Sequence, residues 1–358
     1  MCVCVCVCVW SCLSKSVMNY NQLITIENLF QAYYEFKKGK KKRLDLQVFE
    51  RNLEDNLFVL LRSLKNKSYK HGKYQEFYVN DPKRRHIHKA SVSDRVLHHL
   101  LYKYLYSLFD SQFIYDSYSC RVNKGTHKGV KRLYQFTRKA SKNYTGDCYV
   151  LKCDIKKFFA SVDHEILSSL LRSKIQDEDI LSLLTEVINS FSSELGNGRG
   201  IPLGNLTSQV FANIYMNKLD QYIKHALRIK FYVRYADDFA ILSQKKDFLE
   251  DLIPKIEDFL RMELNLKLHE KKVIIRNLKH GVDFLGYVIL PHVILPRTKT
   301  KRRMFKKIDI KISEYNSGKI SDFSLNQTSQ SYLGYLSHCK AFELEQQVKN
   351  ILFFKTIT

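Results

Sequence analysis

No apolar run in this 358-residue chain is long enough to cross a bilayer, so a helical membrane protein is excluded. Acidic residues are in short supply. The 36 Asp plus Glu stand against 59 Lys plus Arg, a net charge of +23. Such an excess points to a polyanionic partner bound with strong salt dependence, and says nothing of fold. Cysteines at zinc or disulfide spacing are missing as well. Five of the nine lie in the first twelve residues, in the alternation MCVCVCVCVW; Cys120, Cys148, Cys153 and Cys339 are scattered. The alternation fits no zinc spacing, and the scatter implies a reducing, cytoplasmic setting. The amino terminus lacks the basic segment and small-residue cleavage site of a secretory signal. A TG dinucleotide repeat read in frame gives Cys-Val alternation. Residues 1–17 are therefore expected to be a non-native or disordered leader, with Met18 the true start.

What remains is a globular composition, 45% hydrophobic and 13% aromatic, long enough for two or three subdomains around a sizeable core. The informative stretch is Phe231 to Ser243, FYVRYADDFAILS. Two β-rich runs flank Asp237 and Asp238, which reads as a hairpin with carboxylates at its tip. Two carboxylates at ~4 Å repel by about 4 kcal/mol at an effective dielectric near 20. A protein keeps such a pair in open solvent or where a divalent cation neutralises it. An apolar run ending in an acid, CYVLKCD, delivers Asp154 to the end of a buried strand. Three carboxylates on adjacent strands make an all-oxygen site of the kind Mg²⁺ takes. Two such ions about 3.5–4 Å apart serve in-line phosphoryl displacement. The run RGIPLGNLTSQVFAN adds a glycine turn, at Gly204, opening an apolar helix.

Taken together, YADD, the Asp154 strand and the IPLGNLTSQ turn, in that chain order, resemble the palm of a reverse transcriptase. Most reverse transcriptases carry Gln-Gly and then Ser-Pro in the turn. Here Leu203-Gly204 and Ser208-Gln209 stand instead, a pattern similar to the enzymes of diversity-generating retroelements. The resemblance implies an α/β right hand: an N-terminal helical region over 18–75, fingers over 76–145, an antiparallel palm over 146–290 with helices at 165–195, and a small helical thumb over 291–358. It implies RNA-directed DNA synthesis with two Mg²⁺, Mn²⁺ being a possible substitute. Template RNA, a DNA primer and dNTPs would be the partners, with a small basic accessory protein oligomer and no membrane. The product would be cDNA mutagenised at template adenines. A retron or group II intron type of reverse transcriptase, and a defence-associated relative with untemplated or RNA-binding activity, are the alternatives. The stretch after the thumb's start at 291 is expected to be too short for an RNase H or endonuclease domain.

The resemblance also distributes roles. Asp154, Asp237 and Asp238, with the backbone carbonyl of Ile155, would hold the metals. In PKRRHIHK, Arg85 and then Lys83 would hold the triphosphate; the competing reading pairs Arg84 or Arg85 with a surface acid. Arg121 and Lys124 would touch template and nucleotide. Phe159 would stand under the sugar and exclude a 2′-OH, unless it is plain core, as Phe158 is expected to be. Leu203, Gly204 and Gln209 would line the nascent pair. Leu203 lacks the amide that relatives place there, and either it lowers fidelity or it packs under the turn. Lys272, on a strand, would act as general acid near the leaving pyrophosphate, worth roughly 10²–10⁴-fold in rate. Tyr235, with Phe284, Leu285 and Gly286 of a second hairpin, would meet primer and template. Asp94 and Arg95 are read as structural, Asp163 as a helix cap. The basic run Lys37 to Arg43 is either a solvated face or an RNA contact.

Overall fold

The computed structural model describes residues 18–80 and 83–355, so the leader expected over 1–17 lies outside the described residues. Among the described residues the fold is mixed α/β with three separate antiparallel sheets. The first is a hairpin of β1 (Gln75–Val79) and β2 (Arg85–Lys89). The second runs in the order β4-β5-β3-β6 and comprises β3 (Tyr149–Asp154), β4 (Tyr232–Tyr235), β5 (Asp238–Ser243) and β6 (Ile274–Asn277). The third is a meander of β7 (Val282–Phe284), β8 (Tyr287–Leu290) and β9 (Val293–Pro296).

Alternation along the central strands explains how that sheet is placed. Leu151 and Cys153 of β3, Tyr232 of β4, and Phe239 and Ile241 of β5 point into the larger core, with the helices Leu206–Gln221 and Lys246–Leu264. Val150, Val233, Ala240 and Leu242 have the opposite parity and point into a second core. There they meet Val130, Leu133 and Phe136 from the helix Thr126–Ala140. Each fully buried Leu, Ile or Phe contributes about 1.5–3 kcal/mol. Covering both faces leaves only the strand ends for polar chemistry, and the acids sit there.

The N-terminal helices follow their apolar spacing. Leu29, Tyr33 and Phe36 of Ile26–Lys37 are buried, as are Leu57, Leu60 and Leu61 of Leu53–Lys65. Asp94 is buried near the start of Val92–Phe109, accepting from Tyr69 and Ser91 at 2.7 Å each. Arg95 pairs with Asp45 at 2.5 Å, so both residues are structural, as expected. Asp163 caps the helix His164–Arg172 by accepting from Glu165 and Ile166. In the basic run, Lys37 pairs with Glu50 and Lys40 donates to the Phe36 carbonyl, while residues 41–43 are exposed. At the C-terminal end, three helices, Thr298–Asn316, Asp322–Leu336 and Phe342–Lys355, enclose their own small core. Among the described residues no helix is long and apolar enough to cross a membrane.

Candidate active site

Register brings the carboxylates together. Strands β3 and β5 pair so that Asp154 lies directly opposite Asp238. Opposed residues on one face of an antiparallel pair hold their Cβ atoms about 4.5–5.5 Å apart. Strands β4 and β5 close on Tyr235 opposite Asp238, leaving Ala236 and Asp237 as a two-residue turn. The Asp237 carbonyl accepts from the Ile155 amide at 3.3 Å, which ties the turn to the chain just past Asp154. Ala236 stands at φ 54°, a left-handed conformation that a non-glycine residue holds at about 1–2 kcal/mol.

Something must hold that strained turn, and Arg234 does. Its guanidinium is fully buried and meets both oxygens of buried Asp220, at 2.7 and 2.6 Å. A further N–H donates to the Ala236 carbonyl at 3.0 Å. The Tyr232 hydroxyl completes Asp220 at 2.7 Å. In sequence, FYVRY reads as an ordinary strand with one polar residue. Nothing local marks Arg234 as the support of the turn.

Two lysines meet the acids. Lys272 Nζ lies 2.8 Å from Asp154 and Lys152 Nζ lies 3.4 Å from Asp238. Lys272 sits in a 3₁₀ turn ahead of β6, not on the strand expected for it. Lys152 was absent from the sequence reading, although period-2 alternation puts it on the face of Asp154. Asp238 retains a buried Oδ1 with no hydrogen-bond partner, while Lys152 faces its other oxygen. Burial pushes the Asp238 carboxyl up to about 6; Lys152 opposes that shift, and the charges of Asp154 and Asp237 add to it. Asp237 is raised by burial and then by Asp154, with Lys272 and Arg85 pulling it back. An unpartnered buried oxygen within a cluster of three mutually repelling carboxylates is a donor set suited to a hard divalent cation.

The raised carboxyl sets a pH dependence. Its ordinary value is about 3.9, so between about pH 4 and 6 the folded chain binds more protons than the unfolded one. Without metal, this site therefore adds stability as pH falls from about 6 and loses it as pH rises. Cation binding has the opposite sign, because it needs the carboxylate. Mn²⁺ affinity, followed by calorimetric titration, is expected to fall at least tenfold from about pH 7.5 to pH 5. Equal affinity at both values would contradict the assignment of Asp238 as a ligand.

The other candidates divide. Arg85 is exposed on β2, and its charge acts on Asp237. Arg84 stacks on the Tyr78 ring at 4.2 Å, and Lys83 is exposed. Gly204 has φ 115°, and a Cβ there would meet Ile87 of β2 at 2.9 Å. That contact with the hairpin strand, together with the positive φ, calls for glycine here. The Leu203 carbonyl accepts from the His88 amide at 3.0 Å, and Leu203 is half-buried. Gln209 is half-buried in the helix that follows. Phe158 is core, as expected; Phe159 is partly buried and meets it edge-on at 5.3 Å. Tyr235 is half-buried, and its hydroxyl accepts from Thr126 at 3.3 Å.

Three expectations are corrected. Arg121 does not face a ligand: its guanidinium meets Asp110 at 2.7 Å and the carbonyls of Ile114 and Ser117, and is 7% exposed. Lys124 is engaged at the surface, 2.7 Å from the Tyr115 carbonyl and 3.3 Å above the exposed Tyr115 ring. Basic residues near a glycine read alike whether they meet phosphate or their own fold. Phe284 is 1% exposed and belongs to the second core. Leu285 and Gly286 do form the turn of that hairpin, at φ 49° and 93°. The Gly286 carbonyl, however, accepts from Tyr335 in the C-terminal helices at 2.7 Å.

A family model described as reverse transcriptase (RNA-dependent DNA polymerase) matches residues 70–289. The chain is 23% identical over 263 residues to a protein of COX1/OXI3 intron 2 from Saccharomyces cerevisiae, covering 56% of this chain and 30% of that protein. It is 21% identical over 330 residues to the group II intron-encoded protein LtrA of Lactococcus lactis subsp. cremoris, covering 73% of this chain and 54% of LtrA. The chain thus spans about a third to a half of these relatives' length. Among solved structures, apo telomerase from Candida tropicalis overlays with a TM-score of 0.50 at 12% identity. That overlay covers 71% of this chain and 54% of the telomerase, a likeness of fold.

Proposed function

Because the chain belongs to the reverse transcriptase (RNA-dependent DNA polymerase) family, we propose that it copies an RNA template into DNA at the Asp154, Asp237 and Asp238 cluster. The observation that carries this reading is the register pairing of Asp154 with Asp238, with Asp237 on the adjoining turn. These three carboxylates, and the carbonyl of Ile155, would hold two Mg²⁺. Bound there, the ions would acidify the primer 3′-OH and neutralise charge developing on the transferred phosphoryl and the pyrophosphate. Arg85 orients the triphosphate from the β1–β2 hairpin. Lys272, beside Asp154, is the group placed to give the leaving pyrophosphate a proton. In this reading residues 76–145 are fingers, 146–290 palm and 291–358 thumb. Exposed Lys299, Lys301, Arg302 and Lys306 on the first C-terminal helix would face the duplex backbone.

The LGNLTSQ turn supports a finer assignment to the mutagenic enzymes of diversity-generating retroelements. The similarity to LtrA favours a second reading, an intron-type enzyme of ordinary fidelity. Leu203 separates the two. A hydrogen bond to the nascent pair is worth roughly 1–3 kcal/mol when its loss leaves a buried group unpaired, or about tenfold to hundredfold in error rate. An apolar Leu203 cannot supply it. Leu203→Gln is therefore expected to lower misincorporation opposite template adenine about tenfold, and less opposite other bases. Sequencing cDNA made on one RNA template by both proteins is the test. High fidelity of the unsubstituted protein at adenine would favour the intron-type reading.

A further inference from the structure

Face parity on the β1–β2 hairpin separates two sets of residues. Arg85 and Ile87 point one way, toward Asp237 and the Gly204 turn. His86 and His88 point the other way. Their cross-strand neighbour is Glu76, paired with His88 in register. One ligand atom from each of Glu76, His86 and His88 lies within 4.8 Å of the other two. His86 Nε2 is 3.1 Å from one Glu76 oxygen, and His88 Nε2 is 3.8 Å from the other.

We propose that Glu76, His86 and His88 bind a Zn²⁺ ion that staples β1 to β2. Zinc–ligand bonds of about 2.0–2.1 Å set tetrahedral ligand–ligand edges of about 3.3 Å; His86 Nε2 already lies near that distance from one Glu76 oxygen, and His88 Nε2 lies 3.8 Å from the other, within reach of a rotation of the exposed carboxylate. Two imidazoles and one carboxylate are a recurrent three-ligand zinc set, with water in the fourth position. Both rings are already oriented. Tyr78 stacks on His86 at 4.6 Å and 9°, while Phe191 meets His88 edge-on at 4.7 Å. The rings of His86 and His88 lie 4.3 Å apart on the same face of the hairpin.

A staple is useful at this place. A two-stranded hairpin is marginal alone. Its second strand is tied to the Gly204 turn through the His88 backbone, which donates to Leu203 and accepts from Asn205 at 3.0 Å each. Zinc on the outer face would hold the strand whose inner face presents Arg85.

Equilibrium dialysis of the full chain against ZnCl₂, with metal analysis, tests the proposal. The unsubstituted protein is expected to hold one more zinc ion per chain than a His86→Ala/His88→Ala double variant. Glu76→Gln, a near-isosteric change at an exposed position, is expected to weaken that site at least tenfold. In an Asp238→Asn background the one-ion difference between chains with and without His86 and His88 should persist, which separates the site from the acidic cluster. Equal zinc content in the unsubstituted protein and the double variant, or full affinity in Glu76→Gln, would overturn it.

Discussion

Asp238→Asn is expected to cut dNTP incorporation by roughly 10³-fold while leaving the fold intact, since ion–ligand charge supplies several kcal/mol of transition-state stabilisation. The substitution keeps the shape of the side chain. It removes a charge that the metal-free protein carries at a disadvantage, because burial and two neighbouring acids already push that carboxyl up to about 6. Stability at neutral pH should therefore hold or rise as activity collapses. Opposite movements of activity and stability distinguish a ligand from a packing residue. Single-turnover incorporation and a urea melt on the same preparation give both. Activity within threefold of the unsubstituted protein would remove Asp238 from the metal site.

The second large effect lies away from the acids. Asp220→Ala leaves the Arg234 guanidinium charged, fully buried and without its carboxylate. Removing one partner of a buried pair costs about 3–5 kcal/mol, a large share of a domain's net stability. Replacing both partners by apolar residues of similar size, Asp220→Leu with Arg234→Met, should recover much of that loss. It cannot restore the bond from Arg234 to the Ala236 carbonyl. The double variant is thus expected to melt near the unsubstituted protein yet extend primers at least tenfold more slowly, because the strained turn carrying Asp237 has lost its support. Full activity in a stable double variant would show that the turn holds itself.

The acidic centre was legible because it is local. A strand ending in Asp154 and a hairpin bearing Asp237 and Asp238 both follow from apolar alternation, and antiparallel pairing of the two brings Asp154 opposite Asp238. Caps and core positions such as Asp163 and Phe158 were legible for the same reason. What escaped depends on partners distant in sequence. Arg234 is one polar residue in a strand until Asp220 on another element is placed beside it. Arg121 and Lys124 look like free cations until their neighbours' carbonyls close on them. Lys152 could have been found: two positions before Asp154 on a strand, it shares that face. The His86-x-His88 spacing was equally visible, but its carboxylate arrives only with the pairing of β1 and β2.

Extension of a DNA primer on an RNA of defined sequence distinguishes templated DNA synthesis from untemplated addition and from mere RNA binding. With Mg²⁺ and dNTPs, sequenced products are expected to be complementary to the template, adenine positions apart, to stop at its 5′ end, and to vanish when the metal is chelated. Products of the same sequence whatever RNA is supplied, or none from a folded protein with Mg²⁺ present, would contradict it.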